Sequence, residues 1–212
     1  MGNRIRQVSF AEAAPEVRKL YHQFFGDRDP VAQPGTATGT PGDYWTTLAL
    51  VPDVLKMMSD ALFALLQPGR KLEPHVRELA ILRTAIAGDC RFEFSQHLKV
   101  ARSVGIPAAK LNSIKAWATS ENFDPAERSV MAAADELITR NLVEDGTFAA
   151  LKRHFSDEQI VELFMVIATY RMHGLLVRAL HLEFDGDTTV RMEEIPGPPV
   201  NTREIPVGRE KT

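Results

Sequence analysis

From Asp43 almost to Phe184 the sequence keeps one kind of order: amphipathic helical runs punctuated by proline at their starts and glycine at their ends. The stretch EPHVRELAILRTAIAG is the clearest, with Pro74 in the first turn and Gly88 after the last. Proline costs nothing at a helix start, where its missing N–H has no acceptor, and glycine readily takes the conformation that ends a helix. PDVLKMMSDALFALLQPG repeats the pattern between Pro52 and Gly69, and YWTTLALVP is a short helix stopped by Pro52. Asp89 reads as the N-cap of DCRFEFSQHLKVARSVG, and Gly105 as its stop. PAAKLNSIKAWA, DPAERSVMAAADELITRN, EDGTFAALKRHF and SDEQIVELFMVIATYRMHGLLVRALHLEF follow. Asp124 before Pro125, and Ser156 before Glu158 and Gln159, are start signals for the longer two. Strict alternation with β-branched residues is missing from every run of useful length, so the pattern predicts an all-α fold.

Ahead of this region, a helix over about residues 11–25, with Pro15 in its first turn, ends at Gly26. Residues 27–42 are rich in Gly, Pro and Thr and read as a long loop, of the kind that serves as a lid or an intersubunit arm. Beyond residue 185 the tail is rich in proline and poor in large apolar side chains, so it cannot build a core of its own. The sequence thus divides into an N-terminal helix and loop (1–42), a helical domain (43–184) and an extended tail (185–212). A faint internal echo lays RELAILRTA over VELFMVIATY, with Glu78 against Glu162.

Composition narrows the function classes. The 212 residues carry a net charge of −3, with both signs spread along the chain, which gives no general affinity for nucleic acid or acidic membranes. No run reaches the roughly 20 apolar residues of a membrane span, and no secretory leader is evident; the expected address is cytoplasmic. A single cysteine, Cys90, cannot form an intramolecular disulfide. No set of residues has metal-ligand spacing and there is no Gly-rich phosphate loop, so neither metal nor cofactor is expected.

Chemistry concentrates in RELAILRTAIAGDCRFEFSQHLKVA. Glu78, Cys90, Glu93 and His97 follow the spacing Glu-x11-Cys-x2-Glu-x3-His. At about 100° per residue, Cys90, Glu93 and His97 fall within an arc of roughly 60° on one helix face. A thiol, a carboxylate and an imidazole there cost several kcal/mol if buried without partners. His97 can move a proton near neutral pH, and Glu93, one turn away, either carries that proton itself or orients the ring. Cys90, near a helix start, is either a reactive thiol or a small buried hydrophobe.

The segment resembles the carboxymuconolactone decarboxylase family, which includes the alkylhydroperoxidase D branch. That branch has Glu-x11-Cys-x2-Cys-x3-His; here the outer spacing is kept and Glu93 stands at the second cysteine. The resemblance covers most of residues 43–184 and implies an alkylhydroperoxidase D-like helical fold assembled as a homotrimer or homohexamer. It also implies cofactor-independent decarboxylation or proton transfer on a small, aromatic-derived carboxylate or lactone. Glu78 matches a glutamate of the redox branch's proton relay; a salt bridge to Arg77, Arg83 or another subunit is its plainer reading. Arg83, Tyr170, Arg171 and His173 are expected to form a cationic or hydrogen-bonding wall for the substrate. Where decarboxylase-type relatives have a tyrosine followed by Gly-x-Pro, this chain reads TYRMHGLL, without the proline. Without a second cysteine, the alternatives are a one-cysteine thiol peroxidase and a non-catalytic oligomeric binding module.

Overall fold

A computed structural model describes residues 3–33 and 43–182. The tail from 185 and most of the loop over 27–42 lie outside the described residues, so the arm and lid readings stay with the sequence. Among the described residues the structure is helical throughout, with no strand: α1 (Pro15–Phe25), α2 (Asp43–Leu48), α3 (Pro52–Leu66), α4 (Pro74–Ala87), α5 (Arg91–Ser103), α6 (Ala108–Ser113), α7 (Pro125–Arg140), α8 (Asp145–Lys152) and α9 (Asp157–Leu180). The all-α expectation is borne out.

Proline opens α1, α3, α4 and α7 as the pattern requires. The first helix starts at Pro15 and not near residue 11, because the residue before a proline is driven to extended backbone and Ala14 has ψ 154°. Asp124 and Glu127 form a reciprocal capping box on α7: the Asp124 carboxylate accepts from Glu127 N–H at 2.8 Å, and Glu127 accepts from Asp124 N–H at 2.9 Å. Asp124→Ala should therefore lower stability by about 1 kcal/mol, read as an earlier urea midpoint with unchanged slope. Ser156 and Gln159 make the same exchange at the start of α9. The run PAAKLNSIKAWA breaks into α6 and a 3-10 turn over Ile114–Ala116.

The chain forms two compact units whose limits do not coincide with the divisions at 42 and 184. One takes the described residues of Met1–Pro68 and Leu176–Glu194. Its interior holds Val17, Tyr21, Phe25, Leu55 and Met58, and the Tyr21 hydroxyl donates to Val8 C=O at 2.9 Å. Phe24 lies between Trp45 and Phe63, with ring centroids 4.5 and 5.7 Å away. Asp29 accepts from the N–H groups of Phe10, Val31 and Ala32, fixing the turn that starts the Gly/Pro-rich segment.

The second unit takes the described residues of Gly69–Leu175 and carries all the candidate chemistry. Its core is Leu79, Leu82, Phe94, Leu98, Ile106, Leu111, Ile114, Phe123 and Met131, contributed by α4 to α7. Burying side chains of this size is worth roughly 1.5–3 kcal/mol each, so this cluster holds α4 and α5 firmly against α7. The α5 run closes at Gly105, whose φ of 85° lies in the left-handed region that glycine enters without a steric penalty. One expectation needs correction: α9, at 24 residues with a mean hydropathy of 1.5, is long and apolar enough to cross a membrane. Half of its most apolar stretch is buried within the protein.

Candidate functional site

Residues of α4, α5 and α9 in the second unit form one cluster of carboxyl and imidazole groups. On α4, Glu78 is completely buried. Arg77 Nε donates to its Oε1 at 3.1 Å, and His97 Nδ1 lies 2.7 Å from its Oε2. That short contact to a carboxylate places the proton on Nδ1, which leaves Nε2 as the acceptor of the neutral ring. His97 comes from α5, and its Nε2 faces Glu93 Oε2, one turn earlier, at 3.9 Å. From α9, His173 Nδ1 faces the other oxygen, Glu93 Oε1, at 4.0 Å. The Tyr170 ring stands edge-on to both imidazoles, with centroids 4.5 Å from His97 and 5.4 Å from His173.

Burial decides the charge state at the centre. Desolvation pushes the Glu93 carboxyl up to about 7, and the attraction of His97 offsets only part of that rise. His173 moves the other way, held down at about 4 by burial and then by the charge of His97. A neutral His173 cannot form an ion pair, and a Glu93 that keeps its proton up to neutrality does so only weakly. The two contacts near 4 Å are therefore neither ion pairs of note nor hydrogen bonds.

The turn into α5 corrects another expectation. Asp89 is not the N-cap; it is the left-handed residue of the turn, with φ 55°, a conformation Asp tolerates better than most. The tight turn closes through Gly88 N–H to Thr84 C=O at 2.8 Å and Cys90 N–H to Ala85 C=O at 2.8 Å. Cys90 takes the N-cap position with no side-chain cap. It is buried against Gly174 of α9, where a Cβ would come within 3.3 Å of Cys90 Cβ and 3.5 Å of Sγ. Arg171 crosses the same turn, its Nη1 3.1 Å from where a Gly88 Cβ would sit.

The structure thus brings together Glu78, Glu93, His97, Tyr170 and His173, with Cys90 at the adjoining turn. It does not bring Arg83 to them. Arg83 Nε donates to Asp135 Oδ1 and its Nη1 to the carbonyls of Ile114 and Lys115, while Asp135 also accepts from Trp117 Nε1 at 2.9 Å. Five residues from Glu78 is about 140° around a helix, which turns Arg83 toward α7. Arg83 is thus a tie between α4, α7 and the 3-10 turn, away from the other residues expected to line the site. The echo residue Glu162 likewise points elsewhere, accepting from Leu72 N–H at 2.8 Å and pairing with Arg70 at 2.7 Å. Gly174 was missed by sequence reading, although a glycine inside an apolar helical run is the usual mark of close packing. Among the described residues, no group of three or more His, Cys, Asp or Glu side chains is arranged to hold a metal ion.

Comparison with known structures defines the class as an alkylhydroperoxidase D-like helical fold. The chain superposes on the alkylhydroperoxidase AhpD core of an uncharacterized peroxidase-related protein from Ralstonia eutropha JMP134 with a TM-score of 0.71, at 16% identity over 87% of this chain and 93% of that one. The apo debrominase Bmp8 gives 0.67 at 18% identity, over 82% and 88%. A protein of unknown function from Agrobacterium tumefaciens gives 0.62 at 22% identity, over 66% and 97%. At these identities the likeness speaks for the fold alone.

Residues 52–136 match the carboxymuconolactone decarboxylase family. YdfG, an uncharacterized protein of Bacillus subtilis (strain 168), is 26% identical over 93 residues. That match takes in 43% of this chain and spans 63% of the relative's length. The family match includes Glu78, Cys90, Glu93 and His97 and ends before α9, so Tyr170 and His173 lie outside it.

Proposed function

We propose that this protein is a cofactor-independent enzyme that moves a proton on a small carboxylate or lactone, by decarboxylation or by isomerisation. The observation that carries the reading is a buried carboxyl whose two oxygens face two different imidazoles, His97 on one side and His173 on the other. Glu93, protonated up to about pH 7, is the acid. In a decarboxylation the substrate C–C bond breaks, CO2 leaves, and the electron pair left on carbon takes the Glu93 proton. Glu93 then recovers a proton by way of an imidazole. His97 is suited to that step because Glu78 stabilises the imidazolium, and Arg77 holds Glu78 in place. In an isomerisation the neutral His173 takes a proton from one carbon while Glu93 supplies one to another. General acid–base help of this kind contributes about 10²- to 10⁴-fold.

The test follows γ-carboxymuconolactone loss and CO2 release by the wild type beside His97→Gln and Cys90→Ser. Turnover that falls about 10²-fold or more in His97→Gln and survives in Cys90→Ser supports proton transfer. Turnover of peroxide with an external thiol, lost in Cys90→Ser, would replace this reading with the one-cysteine peroxidase. The packing of Cys90 against Gly174 favours the first outcome.

A further inference from the structure

A single side chain, Tyr170 on α9, packs against both imidazoles of the site. Its ring stands at 86° to His97, with centroids 4.5 Å apart, and at 70° to His173, with centroids 5.4 Å apart. Both are edge-to-face contacts at the separation of well-packed aromatic rings. Tyr170 is buried, so its surface is taken up by neighbouring side chains and little of it faces solvent. It also lies beyond residues 52–136, so the stretch matched to the family does not supply it.

His97 shows what such a contact does. Glu78 holds its ring at one atom, with Nδ1 2.7 Å from Oε2. A ring pinned at one nitrogen can still tilt about that hydrogen bond. The far nitrogen, Nε2, lies 3.9 Å from Glu93 Oε2, beyond hydrogen-bond reach, so that approach does not fix the tilt. A perpendicular ring packed at 4.5 Å does. His173 follows Tyr170 by three positions on α9, so both side chains share one helix face and are carried by the same turn of backbone. His173 Nδ1 in turn stands 4.0 Å from Glu93 Oε1. We propose that Tyr170 is a positioning residue: its ring wedges His97 and His173 apart and keeps one imidazole aimed at each oxygen of Glu93. The role rests on the proton-transfer reading and differs from the substrate wall expected of this residue. The groups that face the two imidazoles are Glu78 from α4, with Arg77 behind it, Glu93 from α5 and Tyr170 from α9. The charge of His97 also reaches His173.

Histidine side-chain NMR titrations on the full-length protein test this without a substrate. Among the six histidines, His97→Gln and His173→Gln assign the two signals. In Tyr170→Leu, His173 loses part of its cover, and its midpoint should rise from about 4 toward the ordinary 6.5. Tyr170→Phe keeps the ring and should keep both wild-type titrations. If circular dichroism shows that Tyr170→Leu does not fold, Tyr170→Met fills more of the space without a ring and carries the same comparison. In turnover, Tyr170→Leu should lower kcat about tenfold to a hundredfold with KM nearly unchanged, and Tyr170→Phe should restore most of it. Titrations in Tyr170→Leu that match the wild type overturn the proposal. So does a Tyr170→Phe variant as slow as Tyr170→Leu, which would make the hydroxyl a catalytic group. A loss confined to KM, which would make the ring a substrate contact, overturns it as well. A wild type without turnover counts against the proton-transfer reading alone, and the titrations still decide the role of the ring.

Discussion

Glu93→Gln should lower turnover by about 10²- to 10⁴-fold while leaving the fold intact, because glutamine keeps the shape of the acid and removes its proton. The wild-type pH profile should carry the same message. Glu93 is pushed up to about 7, so the rate should fall as pH rises through that value and the acid is lost. His173, held at about 4, should set the other limb, with loss below that value as it gains a proton. A rate that instead climbs through pH 7 would make Glu93 a base and overturn its role as the acid.

Stability offers an independent reading of the same group. Glu93 binds its proton more tightly in the folded chain than in the unfolded one. Its contribution is therefore fully present below about pH 4.5 and is lost as pH rises through about 7. Over that window the wild type should lose stability relative to Glu93→Gln by an amount on the order of 3 kcal/mol. His173 works in the opposite sense. Its proton is disfavoured by folding, so stability gained from the neutral ring rises between about pH 4 and 6.5 and partly masks the Glu93 trend in the wild type. Urea titrations of both proteins at matched pH would separate the two.

Glu78→Ala should be the most destabilising single change in the second unit. It strands the Arg77 guanidinium, whose side chain is only 9% exposed, and removes the partner of His97 Nδ1. Breaking a buried pair by deleting one member costs about 3–5 kcal/mol, because the charge left behind has neither water nor a counter-ion. For a chain of this size that corresponds to a fall in Tm of about 10 °C. The double variant Arg77→Met with Glu78→Met should recover much of the loss, since no charge is then left unpaired. A Glu78→Ala variant that melts with the wild type would show that water reaches Arg77 and that the buried pair is not as drawn.

How legible these features were in the sequence depends on how local their physics is. Proline starts and capping residues act within one turn, so α4 and α7 could be placed from sequence to within a residue or two. The Glu78, Cys90, Glu93 and His97 spacing marked the chemistry for the same reason, Glu93 and His97 lying one turn apart on α5 with Cys90 at its N-cap. What could not be read was angular position relative to distant elements. Arg83 and Glu78 belong to one helix, yet 140° of rotation sends one to Asp135 and the other to His97. Asp89 satisfied the composition rule for an N-cap, but the αα turn needed a left-handed residue one place earlier than the rule assumes. The two-sided placement of Glu93 needed α9, whose contribution is separated from the motif by some 80 positions and follows no short pattern.

The bare backbone of Gly174 has a practical corollary. By letting α9 lie directly on the Cys90 sulfur, it seals the molecule's single thiol from reagents that must approach along a line to sulfur. Alkylation would then keep pace with the opening of the native packing and not with the acidity of the thiol. The chain thus carries its own clock for local unfolding, readable by mass spectrometry without any engineered label.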